Sequence, residues 1–323
     1  MAFPFKLSII IVNYNSLNHL ERCVESILNS DPFGDFEVII YDNNSTDLPP
    51  GCDPYLKFKN FTWIHGNENI GFARANNIAA DHSKGKYLLF LNPDTYFEPD
   101  LLSRFVHMMD TLPDFVAMGV QLINADGSPQ HSGAKFVWGG FNNVLSLQGL
   151  GPIARQLAIA LHIPDHNFVS PNFLQPIDWI CGAFLCVRRG AFMLSGQFDP
   201  AFFLYFEEFV LCHQLRKYGK LAIVRGLQCT HVGGGSTPKH NIAQHHVSCL
   251  YSIKVRYGRI LVLANYLLFI IECFVLPLAF LWSKNVRTNY TSTLAGFYRC
   301  FGTVTHSLPT ILFTGKNQII ASP

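Results

Sequence analysis

No Cys-x-x-Cys pair occurs in the sequence, although it contains nine cysteines. That absence excludes zinc-ribbon and thioredoxin-type chemistry as readings. The odd count argues against a disulfide framework. Cys23, Cys181, Cys186 and Cys212 fall in apolar periodic segments, which predicts buried free thiols in a reducing compartment. Neither a G-x-G-x-x-G nor a phosphate-cradling Gly-Lys loop follows the first strand-like run, Leu7 to Val12; the chain continues Asn13-Tyr14-Asn15. This argues against a dinucleotide oxidoreductase or a P-loop NTPase. The same run is too short for a secretory signal and has no small-residue cleavage site, so we read it as a strand. There is no internal repeat.

Charge is scarce too. Charged residues make up 14% of the 323, against 49% hydrophobic, and mean hydropathy is +0.19. A chain this long can bury a large α/β core, and this apolar balance predicts that some surface meets lipid. Acidic residues nearly vanish from the C-terminal third. Residues 1–208 carry 12 Lys+Arg against 21 Asp+Glu, whereas residues 209–323 carry 12 against one. Basic residues mixed with Phe, Leu and Ile, without a compact Arg/Lys motif, suit an anionic membrane surface and not nucleic acid.

What is present begins with a β-α-β-α rhythm over the first 125 residues. Strand-like runs at Leu7–Val12, Phe36–Tyr41, Phe61–His65, Tyr87–Leu91 and Val116–Leu122 alternate with helix-like spacing from Leu17 to Leu28, Phe72 to Asp81 and Leu101 to Met109. This predicts a mostly parallel sheet flanked by helices. Residues 127–176 lack periodicity and read as long loops. Order returns with a strand at Trp179–Val187, a helix from Glu207 to Tyr218, a strand at Leu221–Val224 and a glycine-rich turn at Gly233–Gly235. Beyond Pro238 a helix over His245–Tyr257 precedes the apolar stretch Ile260–Trp282, which contains Asn265, Glu272 and Pro277. Its length could span a bilayer, but the central carboxylate and proline favour an interfacial helix or bent hairpin.

Ligands in open parallel sheets bind beyond the carboxyl ends of the strands. Those positions are polar here: Asn13, Tyr14 and Asn15 after the first strand, Asp42, Asn43, Asn44 and Asp47 after the second, Asn67 and Asn69 after the third, Asn92-Pro93-Asp94 after the fourth. Turn chemistry alone would place Asn, Asp and Pro at such ends, but four such clusters on one rim call for more. Asp94 at a strand end suits Mg²⁺ or Mn²⁺, which take few protein ligands and complete their shells with diphosphate oxygens and water. Alone, it would read as a capped Asn-Pro turn. Glu207-Glu208, among Phe202, Phe203, Tyr205 and Phe206, could supply a carboxylate of raised pKa as general base; acidic residues also simply favour helix N-termini. His231 before the glycine turn could complete a metal shell, although a lone histidine there is usually structural. His240, His245 and His246 form a looser cluster of low weight as a metal site. Asp42 could accept from a nucleobase, and Asn69-Ile70-Gly71-Phe72 could approach a nucleotide with an opened helix N-terminus.

Taken in order, SIIIVNYNS (8–16), VIIYDNNSTD (38–47), NENIGFARANN (67–77), YLLFLNPDT (87–95), DWICGAFLCVRR (178–189) and FDPAFFLYFEE (198–208) resemble the family 2 glycosyltransferases, in their rhamnosyltransferase-like branch. The resemblance covers residues 5–238. It implies an α/β fold of the GT-A type, Rossmann-like, with a mostly parallel sheet flanked by helices; the apolar C-terminal segment beyond it reads as a hydrophobic helical extension. The corresponding domains are residues 1–240, with a nucleotide half to about 125 and an acceptor half after it, and a membrane-associating extension at 241–323. It further implies an inverting, metal-dependent hexosyltransferase-type enzyme at the cytoplasmic face of the inner membrane, serving surface polysaccharide such as O-antigen. Its donor would be dTDP-rhamnose or a UDP-sugar, its acceptor a glycan or polyprenyl-linked glycan.

Carried onto this sequence, Asn13, Tyr14, Asn15, Asp42, Asn44, Asn69, Gly71, Phe72, Asn76 and Asn92 match nucleotide-sugar-binding positions. Asp94 and His231 match the metal position. Glu208, with Glu207, matches the base, and Asp178 and Trp179 match the acceptor or donor-sugar side. Val210 departs from the family pattern, which often has a second aspartate there. That departure keeps a catalytically silent, membrane-bound scaffold as one rival, and a sugar nucleotidyltransferase is the other.

Overall fold

The computed structural model describes residues 3–30, 35–47, 58–135, 173–233, 242–267, 270 and 302–313. The chain divides into two compact units. The first comprises 1–135, 166–200 and 211–239; the second comprises 136–165, 201–210 and 240–323.

The first unit is built on a nine-stranded sheet. Its strands are β1 (Phe5–Asn13), β2 (Phe36–Asp42), β3 (Phe61–His65), β4 (Gly85–Leu91), β5 (Thr95–Phe97), β6 (Phe115–Ile123), β8 (Leu174–Ile177), β10 (Phe184–Arg188) and β11 (Lys220–His231). They run in the order β3-β2-β1-β4-β10-β6-β11-β5, with β8 pairing off β11. β3, β2, β1 and β4 are mutually parallel, β10 runs antiparallel to β4 and β6, and β11 is parallel to β6. A short ribbon joins β7 (Gly133–Ala134) to β9 (Trp179–Ile180).

The central strands are covered on both faces, which is why β1 reads as an unbroken β-branched run instead of an alternating one. Ile9, Ile10 and Ile11 are fully buried, each contributing about 1.5–3 kcal/mol of transfer free energy. On one face Ile9, Ile11, Val38, Ile40 and Leu89 meet Leu20, Cys23, Val24 and Ile27 of helix α1 (Leu17–Ser30) and Phe105 of α3 (Leu101–Thr111). Helix α2 (Phe72–His82) and the short α4 (Arg189–Leu194) complete this unit's flanking helices among the described residues.

Several elements differ from the sequence expectation. The single strand read at 179–187 is two, β9 and β10, separated at Cys181–Ala183. The strand read at 221–224 extends to His231, because a bulge between Val224 and Gln228 carries it past Arg225-Gly226, where the apolar pattern lapses. Of the segment read as loop, residues 133–134 and 174–177 form strands; the rest of it beyond 135 and before 173 lies outside the described residues, as do Gly234, Gly235 and His240.

In the second unit, α6 (Ile242–Tyr257) is followed by helical residues 259–267 and 302–313. Most of the apolar stretch after 267 lies outside the described residues. Among the described residues no helix is long and apolar enough to cross a membrane. The expected hydrophobic helical extension is therefore not supported by the described residues.

Candidate functional site

Asn13, at the end of β1, is the hub of the polar rim. It is fully buried; its Nδ2 donates to Asp42 Oδ1 at 2.8 Å and to Ser45 Oγ at 3.0 Å, and its Oδ1 accepts from Ser16 Oγ at 2.8 Å. Parallel register puts Asn13 beside Asp42. Asp42 is buried, and its other oxygen caps the Ser45 amide. The carboxylate expected to meet a base is thus already bonded within the rim. Asn15 and Asn44 adopt left-handed backbone, a conformation asparagine tolerates better than most residues. Asn15 Oδ1 accepts from the Thr46 amide, tying the two loops together, and Tyr14 is half-buried between them in sequence.

The next loop is stitched on by amides. Asn43 Nδ2 donates to Asn69 Oδ1, Asn43 Oδ1 accepts from Ile70 N, and Asn69 Oδ1 also accepts from Gly71 N. Gly71, at φ 85, precedes the first turn of α2. Phe72 packs edge-on to Phe198. Asn76 turns back onto the Phe72 carbonyl and is buried, so it serves its own helix instead of the rim.

The fourth cluster carries the sharpest geometry. Asn92-Pro93-Asp94 turns the chain from β4 into β5, and Thr95 Oγ1 closes the turn on the Asn92 carbonyl. β5 pairs antiparallel with the end of β11, setting His231 opposite Thr95. That register delivers the imidazole to the turn: His231 Nε2 lies 3.4 Å from Asp94 Oδ1 and 3.4 Å from Asn92 Nδ2. Asp94 is buried, its Oδ2 accepts from the Gly233 amide, and its carbonyl accepts from Val232 N. Among the described residues no three His, Cys, Asp or Glu side chains converge, so the chain itself brings one carboxylate and one imidazole. A pair of this kind fits Mg²⁺ or Mn²⁺, cations that fill the remaining positions from phosphate and water.

Asp178 pairs with Arg216 at 3.1 Å, and Trp179 is buried with its ring on His131. Sequence reading missed Gln130, whose amide holds both the ring and the carbonyl of His231. Its one signal was the Asp126-Gly127 turn just before it.

In the second unit Tyr205 and Phe206 are both left-handed, at φ 69 and φ 67, a strained pair immediately before Glu207. Helix α5 (Glu207–Leu215) starts there. The approach is held by α6: Phe202 meets Tyr251, His245 lies between the rings of Tyr205 and Phe206, and Ser248 Oγ donates to the Leu204 carbonyl. Burial, then the neighbouring His246, pushes the His245 imidazole down to about 4. Glu207 is buried, and its Oε2 has no hydrogen-bond partner among the described residues. Burial, then the neighbouring Glu208 charge, holds its carboxyl well above the usual range. Burial raises Glu208 to about 7.

Comparison with known proteins bears on the family and the fold. Residues 8–164 match the model for Glycosyl transferase family 2. The chain is 26% identical over 260 residues to N-acetylglucosaminyl-diphospho-decaprenol L-rhamnosyltransferase of Mycobacterium tuberculosis, covering 75% of this chain and 82% of the relative. It is 27% identical over 222 residues to rhamnosyltransferase WbbL of Escherichia coli, covering 65% and 77%. In fold it is similar to GalNAc-T7 crystallised with UDP, GalNAc and Mn²⁺, with a TM-score of 0.57 at 18% identity over 77% of this chain and 48% of that one. Residues 8–164 are thus identified with the Glycosyl transferase family 2 model on a GT-A-like α/β sheet, and the chain as a whole is similar to rhamnosyltransferases.

Proposed function

We propose that this glycosyltransferase is divalent-metal-dependent and inverting, and that it moves a sugar, rhamnose first among candidates, from a nucleoside diphosphate to a lipid-linked glycan. The observation that carries this reading is the approach of His231 Nε2 and Asp94 Oδ1 at the end of β4. These two residues would hold Mg²⁺ or Mn²⁺, which when bound supplies Lewis-acid stabilisation to a departing diphosphate. The rim of Asn13, Tyr14, Asn15, Asn44, Asn69, Gly71 and Asn92 faces the nucleotide sugar, with Asp42 acting through Asn13 and Ser45. Glu208, raised to about 7, takes the proton of the acceptor hydroxyl. That oxygen bonds to the anomeric carbon as the bond from this carbon to the diphosphate oxygen breaks, so configuration inverts.

The names of two relatives, an N-acetylglucosaminyl-diphospho-decaprenol L-rhamnosyltransferase and a rhamnosyltransferase, support a rhamnosyl donor and a polyprenyl-diphosphate glycan acceptor; our reading takes dTDP-rhamnose or a UDP-sugar as that donor and surface polysaccharide assembly as the setting. Asp178 and Trp179 belong to the acceptor or sugar side. We assign residues 1–240 to transfer and 241–323 to association with the cytoplasmic membrane face. Ile260, Leu263, Leu267 and Phe313 are exposed there on a segment that also carries Arg256 and Arg259, a combination suited to an anionic lipid surface.

The test is a transfer assay with Mn²⁺, each donor and a short polyprenyl-diphosphate N-acetylglucosamine. Nucleoside diphosphate release with glycosylated lipid, lost in Asp94→Ala and reduced about 10²–10⁴-fold in Glu208→Gln, supports the reading. Release of pyrophosphate would make the chain a nucleotidyltransferase, and no turnover under any donor and metal a silent scaffold.

A further inference from the structure

Gln130 occupies a turn that the reaction above does not use. The segment Asn124 to Gln130 folds back on the end of β6: Gly127, at φ 82, donates to the Asn124 carbonyl, Asn124 N to the Ser128 carbonyl, and Gln130 N to the Leu122 carbonyl. β6 is in turn paired with β11 near His231. The side chains of this turn form one directed series of hydrogen bonds, and its direction is fixed by groups that can only accept. The Asp126 carboxylate accepts from Ser128 Oγ at 2.6 Å. Having given its proton there, Ser128 Oγ accepts from Asn124 Nδ2 at 2.8 Å, so Asn124 Oδ1 faces the other way and accepts from Gln130 Nε2 at 2.6 Å. Gln130 Nε2 also donates to the His231 carbonyl at 2.6 Å. A backbone carbonyl has no proton to give, so the amide nitrogen must lie on that side.

The amide oxygen then has one remaining direction. Gln130 Oε1 lies 2.9 Å from His231 Nδ1, and as an acceptor it requires a proton on that nitrogen. A neutral imidazole carries only one. In the neutral ring Nε2 is then the lone pair, directed to where Asp94 Oδ1 stands at 3.4 Å. From these contacts we infer that Gln130 is the positioning residue of this site: it locks His231 in the Nδ1–H tautomer and presents Nε2 as a ligand beside Asp94. Its purpose rests on the metal reading of Asp94 and His231 given above; the tautomer itself does not. Histidine ligands to metals are commonly oriented by an acceptor on the second ring nitrogen, and here an uncharged amide does it, braced from behind by Asn124, Ser128 and Asp126.

The test uses the full chain, labelled with ¹⁵N-histidine and stripped of metal with EDTA, at about pH 8.5, well above the ordinary imidazole pKa. Long-range ¹H–¹⁵N spectra, with His231→Ala to assign the signal, report which nitrogen is protonated. Wild type should show Nδ1–H. Gln130→Leu should lose that preference, and its Mn²⁺ affinity, read by electron paramagnetic resonance, should fall about 10–100-fold. Gln130→Glu retains an acceptor for Nδ1–H but sets its second oxygen against the His231 carbonyl and Asn124 Oδ1, so it should keep the Nδ1–H tautomer while losing stability, a split that a merely structural role would not produce. An Nε2–H ring in wild type, or an unchanged ring in Gln130→Leu, overturns the inference. Wild type with Nδ1–H that takes up no Mn²⁺ refutes the cation reading and leaves Gln130's orienting role supported.

Discussion

Cys23 aims its thiol at the underside of the Asn92–Thr95 turn, 3.7 Å from Thr95 Oγ1 and 3.8 Å from the Asn92 carbonyl oxygen. Helix α1 therefore supports the turn that carries Asp94. Burial raises Cys23 to about 12 and Cys249 to about 12, and pushes Cys186 and Cys229 up as well. Only thiolates attack disulfide reagents, so at pH 8 Cys23 and Cys249 should react roughly a thousandfold more slowly than a free cysteine, and Cys186 and Cys229 should be slow as well. Ellman's reagent should label them only after unfolding. Rapid labelling of Cys23 in the native protein would mean that the turn is not seated on α1.

Glu208 sets the expected pH profile. With a folded value of about 7, the carboxylate needed as base is depleted below neutrality. kcat/KM should rise about tenfold per pH unit up to about pH 7 and level off above it. Glu208→Gln should flatten that limb while nucleotide affinity, measured by calorimetry, stays near wild type. A Glu208→Gln enzyme with the wild-type profile would transfer the role to another group.

Glu207 makes a prediction about stability. Its raised carboxyl keeps a proton in the folded state that the unfolded chain releases above about pH 4.3. From there up to the raised folded value the native state binds more protons, so stability falls as pH rises. Glu207→Gln removes that loss. The variant should match wild type near pH 4 and gain about 1–3 kcal/mol by pH 7 in urea unfolding. A gain independent of pH would place the effect in packing instead.

Asn13→Ala separates a structural from a ligand-facing role. Removing the amide leaves Asp42, Ser45 and Ser16 without their shared partner. A buried charge then loses a hydrogen bond, at a cost of about 1.5–3 kcal/mol. Denaturant titration should register that loss without any nucleotide present. Unchanged stability with weakened nucleotide binding would assign Asn13 to the ligand alone.

The sequence made the strands and their polar ends readable because β-branched runs and the turn residues that stop them are local. Asn13, Asp42, Asn69 and Asp94 could be listed on one rim from that rhythm alone. What the list lacked was the partner of each. Asp42 bonding to Asn13 follows from parallel register, and His231 meeting Asp94 follows from β5, three residues long, pairing with β11 far along the chain. No window of sequence contains either relationship. Gln130 fell in a segment without periodicity, where amides usually face water. Asn76 reads as a rim residue from its matching neighbours, yet its position one turn into α2 gives it the Phe72 carbonyl to bond.

The interleaving of the two units bears on how the chain can be shortened. Ending it near residue 240, where a boundary is natural to draw, would strip away Tyr251, Ser248 and His245, the residues that grip Phe202 to Phe206 and steady the unfavourable bend ahead of Glu207. A truncated chain would keep every motif and lose the footing of the carboxylate proposed as base, so an inactive short form would speak about missing scaffolding and not about the chemistry.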